Sequence, residues 1–142
     1  MKGMLLDTNV VSELRKGARA DANVRAWFGT VDDAALFLSV LVVGEIHRGV
    51  EAVRKRDPAA ARALDRWLAR LEREYEGRLL AVDRDVAKEW GRLDATHGLP
   101  AIDGLLVATA RVHELALVTR NTKDVRRTGV ALIDPFQPPD VS

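Results

Sequence analysis

Short apolar runs alternate with amphipathic stretches along this whole chain, and that alternation constrains the fold more than any single motif. Gly3-Met4-Leu5-Leu6 leads into Asp7, Leu36-Phe37-Leu38 into Ser39, and Leu79-Leu80-Ala81-Val82 into Asp83. Ala116 to Thr119 and Ala131-Leu132-Ile133 are two more such runs, the last before a Pro-rich end from Pro135 to Pro139. Short apolar runs bounded by polar residues read as buried strands. Between them, apolar residues recur at helical spacing. Asn9 is the expected cap of a first helix marked by Val10, Val11 and Leu14, with Gly17 as its stop. Asp21 caps a second helix, and Ser39 a third with Val42, Val43, Ile46, Val50 and Val53 on one stripe. Asp57-Pro58 opens a fourth helix that Gly77 ends, and Asp83 caps a fifth. Gly98-Leu99-Pro100 breaks the chain before a sixth helix over 101–115. Strand–helix alternation of this kind predicts a parallel sheet covered by helices on both faces, an α/β sandwich.

Composition narrows the chemistry. The 142 residues fit one domain, expected over 1–142 with a core of about 3–135. Hydrophobic residues are 47% and charged residues 30%, enough for a buried core and a soluble surface. The formal net charge of +1 removes bulk charge as an argument for nucleic acid. There is no Cys, which excludes a disulfide scaffold, thiolate-bound zinc, an iron–sulfur cluster and a Cys nucleophile. His47, His97 and His113 are scattered, and His47 and His97 read as surface residues. Trp27, Trp67 and Trp90 fall on helix stripes and read as core. No apolar run approaches the roughly 18 residues of a membrane span, and the start lacks a signal-peptide pattern, so the expected location is the cytoplasm.

In open parallel sheets, sites form at the carboxyl ends of strands. Asp7 closes the first strand; Thr119, Arg120 and Asn121 close a late one, with Asp124 just beyond. Asp103 opens a helix that is otherwise almost wholly apolar, so its carboxylate wants a partner. Glu45 lies at the edge of its helix's apolar stripe, on the side of Gly49, whereas Glu51 falls on the solvent side. Each alone reads as a cap or boundary acid. Together, Asp7, Glu45, Asp103 and Asp124 ring one edge of the sheet. A carboxylate cluster without Cys or His suits a hard cation such as Mg²⁺ or Mn²⁺. Arg62, Arg66, Arg70 and Arg73 read as a solvated helix face. Arg15-Lys16, Arg54-Lys55-Arg56 and Arg126-Arg127 are candidates for a phosphate track beside the acids. No GxGxxG after a strand, GxxxxGK[ST] or GxSxG is present, which strikes out a dinucleotide site, a P-loop and a serine-hydrolase elbow.

Four segments resemble one family in order. Met4-Leu5-Leu6-Asp7-Thr8-Asn9-Val10-Val11-Ser12-Glu13 looks like the opening motif of PIN-domain ribonucleases, especially VapC-type toxins of bacterial toxin–antitoxin pairs. Ser39 to Gly49 resembles the second motif, Pro100 to Ala110 the third, and Leu117 to Asp124 the fourth. The resemblance implies a three-layer α/β/α fold with a mostly parallel central sheet, and Mg²⁺- or Mn²⁺-dependent RNA cleavage. It carries Asp7, Glu45 and Asp103 across as metal-site acids. Many relatives have Asp where this chain has Asn121, so the fourth position is shared between Asn121 and Asp124. Thr8, Asn9, Ser12 and Thr119 become supporting polar groups, and Arg15, Lys16 and Arg120 candidate RNA contacts. Family members commonly dimerise and bind an antitoxin peptide across the acidic groove, so a homodimer and a cognate antitoxin are the implied protein partners.

Three alternatives stay open at this level. A haloacid-dehalogenase-like phosphatase also ends its first strand in Asp but needs an acid two residues on, where this chain has Asn9. A receiver-like switch wants an acidic pair at the first strand, and Asp7 stands alone. A PIN-like domain whose metal site is broken at Asn121 would serve only as a binding module.

Overall fold

A computed structural model describes residues 3–138. Of the expected Pro-rich end, Pro139 lies outside the described residues, as do residues 1, 2 and 140–142. Five strands form one sheet: β1 (Met4–Leu6), β2 (Leu36–Ser39), β3 (Leu79–Leu80), β4 (Ala116–Val118) and β5 (Leu132–Ile133). Their order is β3-β2-β1-β4-β5, and every pairing is parallel. Leu5 pairs with Phe37 on one side and Leu117 on the other. The chain builds outward from β1 to β3, crosses back, and builds outward again through β4 and β5. The order therefore reverses between β1 and β4, and the crevice outside their carboxyl ends is where an open α/β sheet places its site.

The helices are α1 (Thr8–Leu14), α2 (Ala22–Phe28), α3 (Val40–Arg54), α4 (Pro58–Glu74), α5 (Arg84–His97), α6 (Ala101–Val112) and the single turn α7 (Thr122–Val125). Leu5, Leu6, Leu36, Leu38 and Leu117 on the strands pack against Val10, Val42, Val50, Val86, Leu106 and Val107 on the helices, all at most 2% exposed. That burial of strand side chains under helices is the α/β sandwich expected from the alternation. Asp21, Ser39, Asp57 and Asp83 cap their helices as expected, each accepting a backbone N–H in the first turn.

Several local expectations are corrected. Asp7, not Asn9, caps α1: it sits in extended backbone and its carboxylate accepts from Thr8 N. Asn9 is already inside the helix. Gly17 opens a 3₁₀ turn at Gly17–Arg19 and does not close α1, which ends at Leu14. Gly77, with φ +85°, turns the chain toward β3, three residues past the end of α4. β3 keeps only two of its four expected residues, because an edge strand has one neighbour to pair with. The sixth helix stops at Val112; Glu114 takes φ +56°, and Leu115 N bonds back to Ala110 O at 2.8 Å. Trp27, Trp67 and Trp90 are each half-buried against the core's rim.

Candidate active site

Asp7 closes β1 exactly where the strand order reverses, and its backbone N–H continues the ladder by donating to Val118 O at 2.9 Å. Asp7 as a residue is 8% exposed. Thr8 N donates to Oδ1 at 2.7 Å; Thr119 Oγ1 donates to Oδ2 at 2.7 Å, and Asn9 Nδ2 to the same oxygen at 3.3 Å. Thr119 itself is 1% exposed at the end of β4, and its Oγ1 accepts from Asn121 N at 3.0 Å. Asn9 Oδ1 accepts from Arg120 N at 3.2 Å, which ties α1 to the turn after β4. Glu45 comes from the second turn of α3. Thr8 Oγ1 donates to its Oε1 at 2.6 Å.

Asp103 lies in the first turn of α6 and meets the fourth segment directly: Asn121 Nδ2 donates to its Oδ2 at 3.4 Å. Burial raises the Asp103 carboxyl above its ordinary value, and the charges of Asp7, Glu45 and Asp124 raise it further. Asp7, Glu45 and Asp124 are therefore each close enough to repel Asp103. Asp124, in the one-turn α7, is exposed; Asn121 is the member of the pair in contact with Asp103. Ser12 is exposed one turn after Thr8.

The helix packing that places Asp103 depends on Gly104. A Cβ there would lie 3.1 Å from Trp90 Cδ1 and 3.2 Å from its Nε1. The absent side chain lets the Trp90 ring close against α6.

The candidate basic residues divide. Lys16 is paired with Glu13 at 3.0 Å, and the Arg15 guanidinium stacks on Trp67 at 5.6 Å. Both lie at the far end of α1, roughly 10 Å along the helix from Asp7. Arg54 binds Glu51 and Asp65, both at 2.8 Å, so it is no free phosphate contact. Arg120 stacks over Phe136 at 4.6 Å, beside the site. Arg62, Arg66, Arg70 and Arg73 are exposed, as expected. Arg48 was not singled out by sequence, yet it stands one turn beyond Glu45 and lines a recess with it. The spacing of three between Glu45 and Arg48 was the available signal.

Among the described residues, the trio of potential ligands lying within 4.8 Å of one another is His47, Glu51 and Asp65, not the sheet-edge acids. The Arg54 guanidinium already bridges those two carboxylates, so that trio is a surface ion-pair network. The sheet-edge acids differ. Their hydrogen-bond donors are backbone N–H, hydroxyl and amide groups, all neutral. An all-oxygen set with uncompensated charge fits a hard divalent cation.

The PIN domain family matches this chain over residues 4–130. VapC ribonuclease Y4jK of Sinorhizobium fredii is 35% identical over 144 residues, covering 95% of this chain and 99% of that protein. Toxin FitB of Neisseria gonorrhoeae is 31% identical over 140 residues, covering 94% and 98%. The crystal structure of FitAcB from Neisseria gonorrhoeae superposes with a TM-score of 0.85 at 30% identity, covering 94% of this chain and 99% of that one. Similarity that runs this far along both partners, with the acids gathered where the strand order turns, means that the chain belongs to the PIN domain family.

Proposed function

We propose that this chain is a divalent-metal-dependent endoribonuclease and the toxin of a toxin–antitoxin pair, working as one domain in the cytoplasm. The observation that carries the reading is the convergence of Asp7, Glu45, Asp103 and Asp124 from four elements, with burial and mutual repulsion raising Asp103. Relatives named as a ribonuclease and as a toxin support it. No helix among the described residues is long and apolar enough to cross a membrane.

Asp7, Glu45 and Asp103 would hold Mg²⁺, with Mn²⁺ as a substitute, and Asn121 or Asp124 would complete the set. When bound, the ion supplies Lewis-acid polarisation of a phosphoryl oxygen and acidifies water for attack on phosphorus. Thr119 and Thr8 N–H fix the Asp7 carboxylate from both oxygens, and Thr8 Oγ1 fixes Glu45. Each carboxylate keeps lone pairs free toward the crevice, since the donors are few. Arg120 and Arg48 are cations at the rim, suited to phosphates flanking the cut. The acids repel RNA until a cation compensates them, which couples substrate binding to metal.

A cognate antitoxin and a second copy of the chain are the proposed protein partners; structures similar to this one include toxin–antitoxin complexes. Expression of the chain alone is expected to slow bacterial growth, and co-expression of its antitoxin to restore it. Purified protein should cleave RNA in Mg²⁺ and not in EDTA. Normal growth with abundant soluble protein, together with cleavage that persists in EDTA, would overturn the reading.

A further inference from the structure

A recess of about 250 Å³ opens beside Glu45, between the first turns of α3 and the start of α6. Its walls are Val40, Leu41, Gly44, Glu45, Arg48 and Ile102. Glu45 lines the recess, and Ile102, on the opposite wall, directly precedes Asp103 in the chain. Val40 is 40% exposed, an apolar side chain left partly open to solvent. Arg48 makes no ion pair among the described residues, whereas Arg54, Arg92 and Arg111 all bind carboxylates.

Gly44 is the informative residue. It sits inside α3, where glycine is unfavourable in a helix. A Cβ at this position would meet nothing within 4 Å. Gly104 is required by its Trp90 neighbour; Gly44, like Gly49 and Gly91, has no such neighbour, and of these three it is the one that lines the recess. Its missing side chain keeps the recess open.

We propose that this recess is a nucleobase pocket: it takes the unstacked base of a nucleotide next to the cleaved phosphate, while Arg48 holds that nucleotide's phosphate. The proposal rests on the ribonuclease reading above. Single-stranded RNA is bound through splayed bases laid against apolar or aromatic faces, with Arg on the backbone. Here the apolar faces are Val40, Leu41 and Ile102. The cation stands about one helical turn from an acid that would otherwise repel the strand. With Arg48 on the phosphate and Glu45 assigned to the metal, no other polar side chain lines the walls to read a base edge, so the pocket accepts a base by shape with little sequence preference at that position.

The test uses a short fluorescein-labelled single-stranded RNA of mixed sequence and an abasic oligoribonucleotide of the same length. Binding is read by anisotropy in Ca²⁺, and cleavage of the RNA separately in Mg²⁺. Gly44→Leu places a side chain in the recess against Val40, Leu41 and Ile102, its Cβ meeting nothing within 4 Å, and should melt no lower than wild type. It should weaken RNA binding about fivefold, as one base loses its apolar wall, and leave the abasic backbone's affinity unchanged. Arg48→Gln should weaken both probes alike. Unchanged RNA affinity in Gly44→Leu, or equal loss on both probes, overturns the pocket. So does a fall in molar mass by light scattering with RNA affinity per protomer intact, which would assign the recess to a second copy of the chain. Wild-type protein that neither binds nor cleaves RNA would instead overturn the ribonuclease reading, and this proposal with it.

Discussion

Thr119 is the side chain on which the arrangement of Asp7 most depends, and Thr119→Val isolates its hydroxyl. The residue is 1% exposed, and its Oγ1 donates to Asp7 Oδ2 at 2.7 Å while accepting from Asn121 N at 3.0 Å. Valine keeps the shape and removes both bonds. A hydrogen bond to a charged group contributes about 1.5–3 kcal/mol, and Asn121 N would lose its acceptor as well. Relief of repulsion among the acids does not offset this, because the charges remain. The expected loss is about 2–3 kcal/mol, which for a domain of this size lowers Tm by about 6–12 °C. Thr119→Ser keeps the hydroxyl and should lose less than half as much. The assay is thermal unfolding followed by circular dichroism in EDTA, paired with Mn²⁺ calorimetry. Freed from its strongest side-chain donor, Asp7 should also bind Mn²⁺ more weakly. A Thr119→Val protein that melts within about 1 °C of wild type and binds Mn²⁺ as tightly would refute the claim that this bond orders the site.

Asp103→Asn and Asp7→Asn should both abolish cleavage, but only Asp103→Asn should raise Tm in EDTA, because Asp7 also caps α1 and accepts three donors that one amide oxygen cannot serve. The pH dependence carries a definite sign: the folded Asp103 carboxyl is raised above its unfolded value, so its contribution to stability is full below the unfolded pKa and is lost as pH rises through the folded one. Metal-free melts of wild type minus Asp103→Asn should therefore show wild type losing ground as pH increases across the carboxylate range, and a difference flat with pH would contradict this. At the fourth position, Asn121→Asp should tighten Mg²⁺ about tenfold by calorimetry through its added charge, and Asp124→Ala should weaken it only if Asp124 is a ligand. Gly104→Ala should lower Tm by about 3–5 °C, close to 1 kcal/mol, since its Cβ would lie 3.1 Å from the Trp90 ring and the gain in helix propensity does not relieve that contact.

What the sequence made legible is what is local. Asp21, Ser39, Asp57 and Asp83 cap their helices because a cap needs only a side-chain oxygen within three residues of the N–H it serves. The α1 cap was misplaced by two residues because Asn9 and Asp7 are both competent, and only the extended backbone at the end of β1 selects Asp7. β3 was too long for a similar reason: Ala81 and Val82 are apolar, but pairing at a sheet edge is decided by the neighbour β2. The acids were legible as residues, since strand ends and helix starts mark them. Their supports were not legible as contacts. Thr8 meets Glu45 across 37 residues and Thr119 meets Asp7 across 112, and no spacing rule spans such separations. The partners of basic residues were illegible for the same reason. Arg54 is consumed by Asp65 on the neighbouring helix, 11 residues on, and Arg48, inconspicuous in sequence, is left beside Glu45.

Neutral donors alone do not mark the site, since the helix caps Asp21, Asp57 and Asp83 have them too; a group of acids held only by neutral donors does. Elsewhere, Glu89 is held by Arg92 and Arg111, and Glu51 and Asp65 by Arg54. Those pairs lower the carboxyls of Glu51 and Glu89 below their ordinary value. At the crevice between β1 and β4, the donors are backbone N–H, threonine hydroxyls and asparagine amides, and Asp103 moves the opposite way. Neutral donors orient a carboxylate without cancelling its charge, whereas a salt bridge does both. A chain with 22 Lys and Arg residues has cations enough to pair these acids, yet among the described residues none forms a salt bridge with them, and Arg48 and Arg120 stand only at the rim. The crevice is thus held at a negative potential that the protein itself does not neutralise. Its natural complement is a cation from solution, and a polyanionic strand can approach only once that cation is in place.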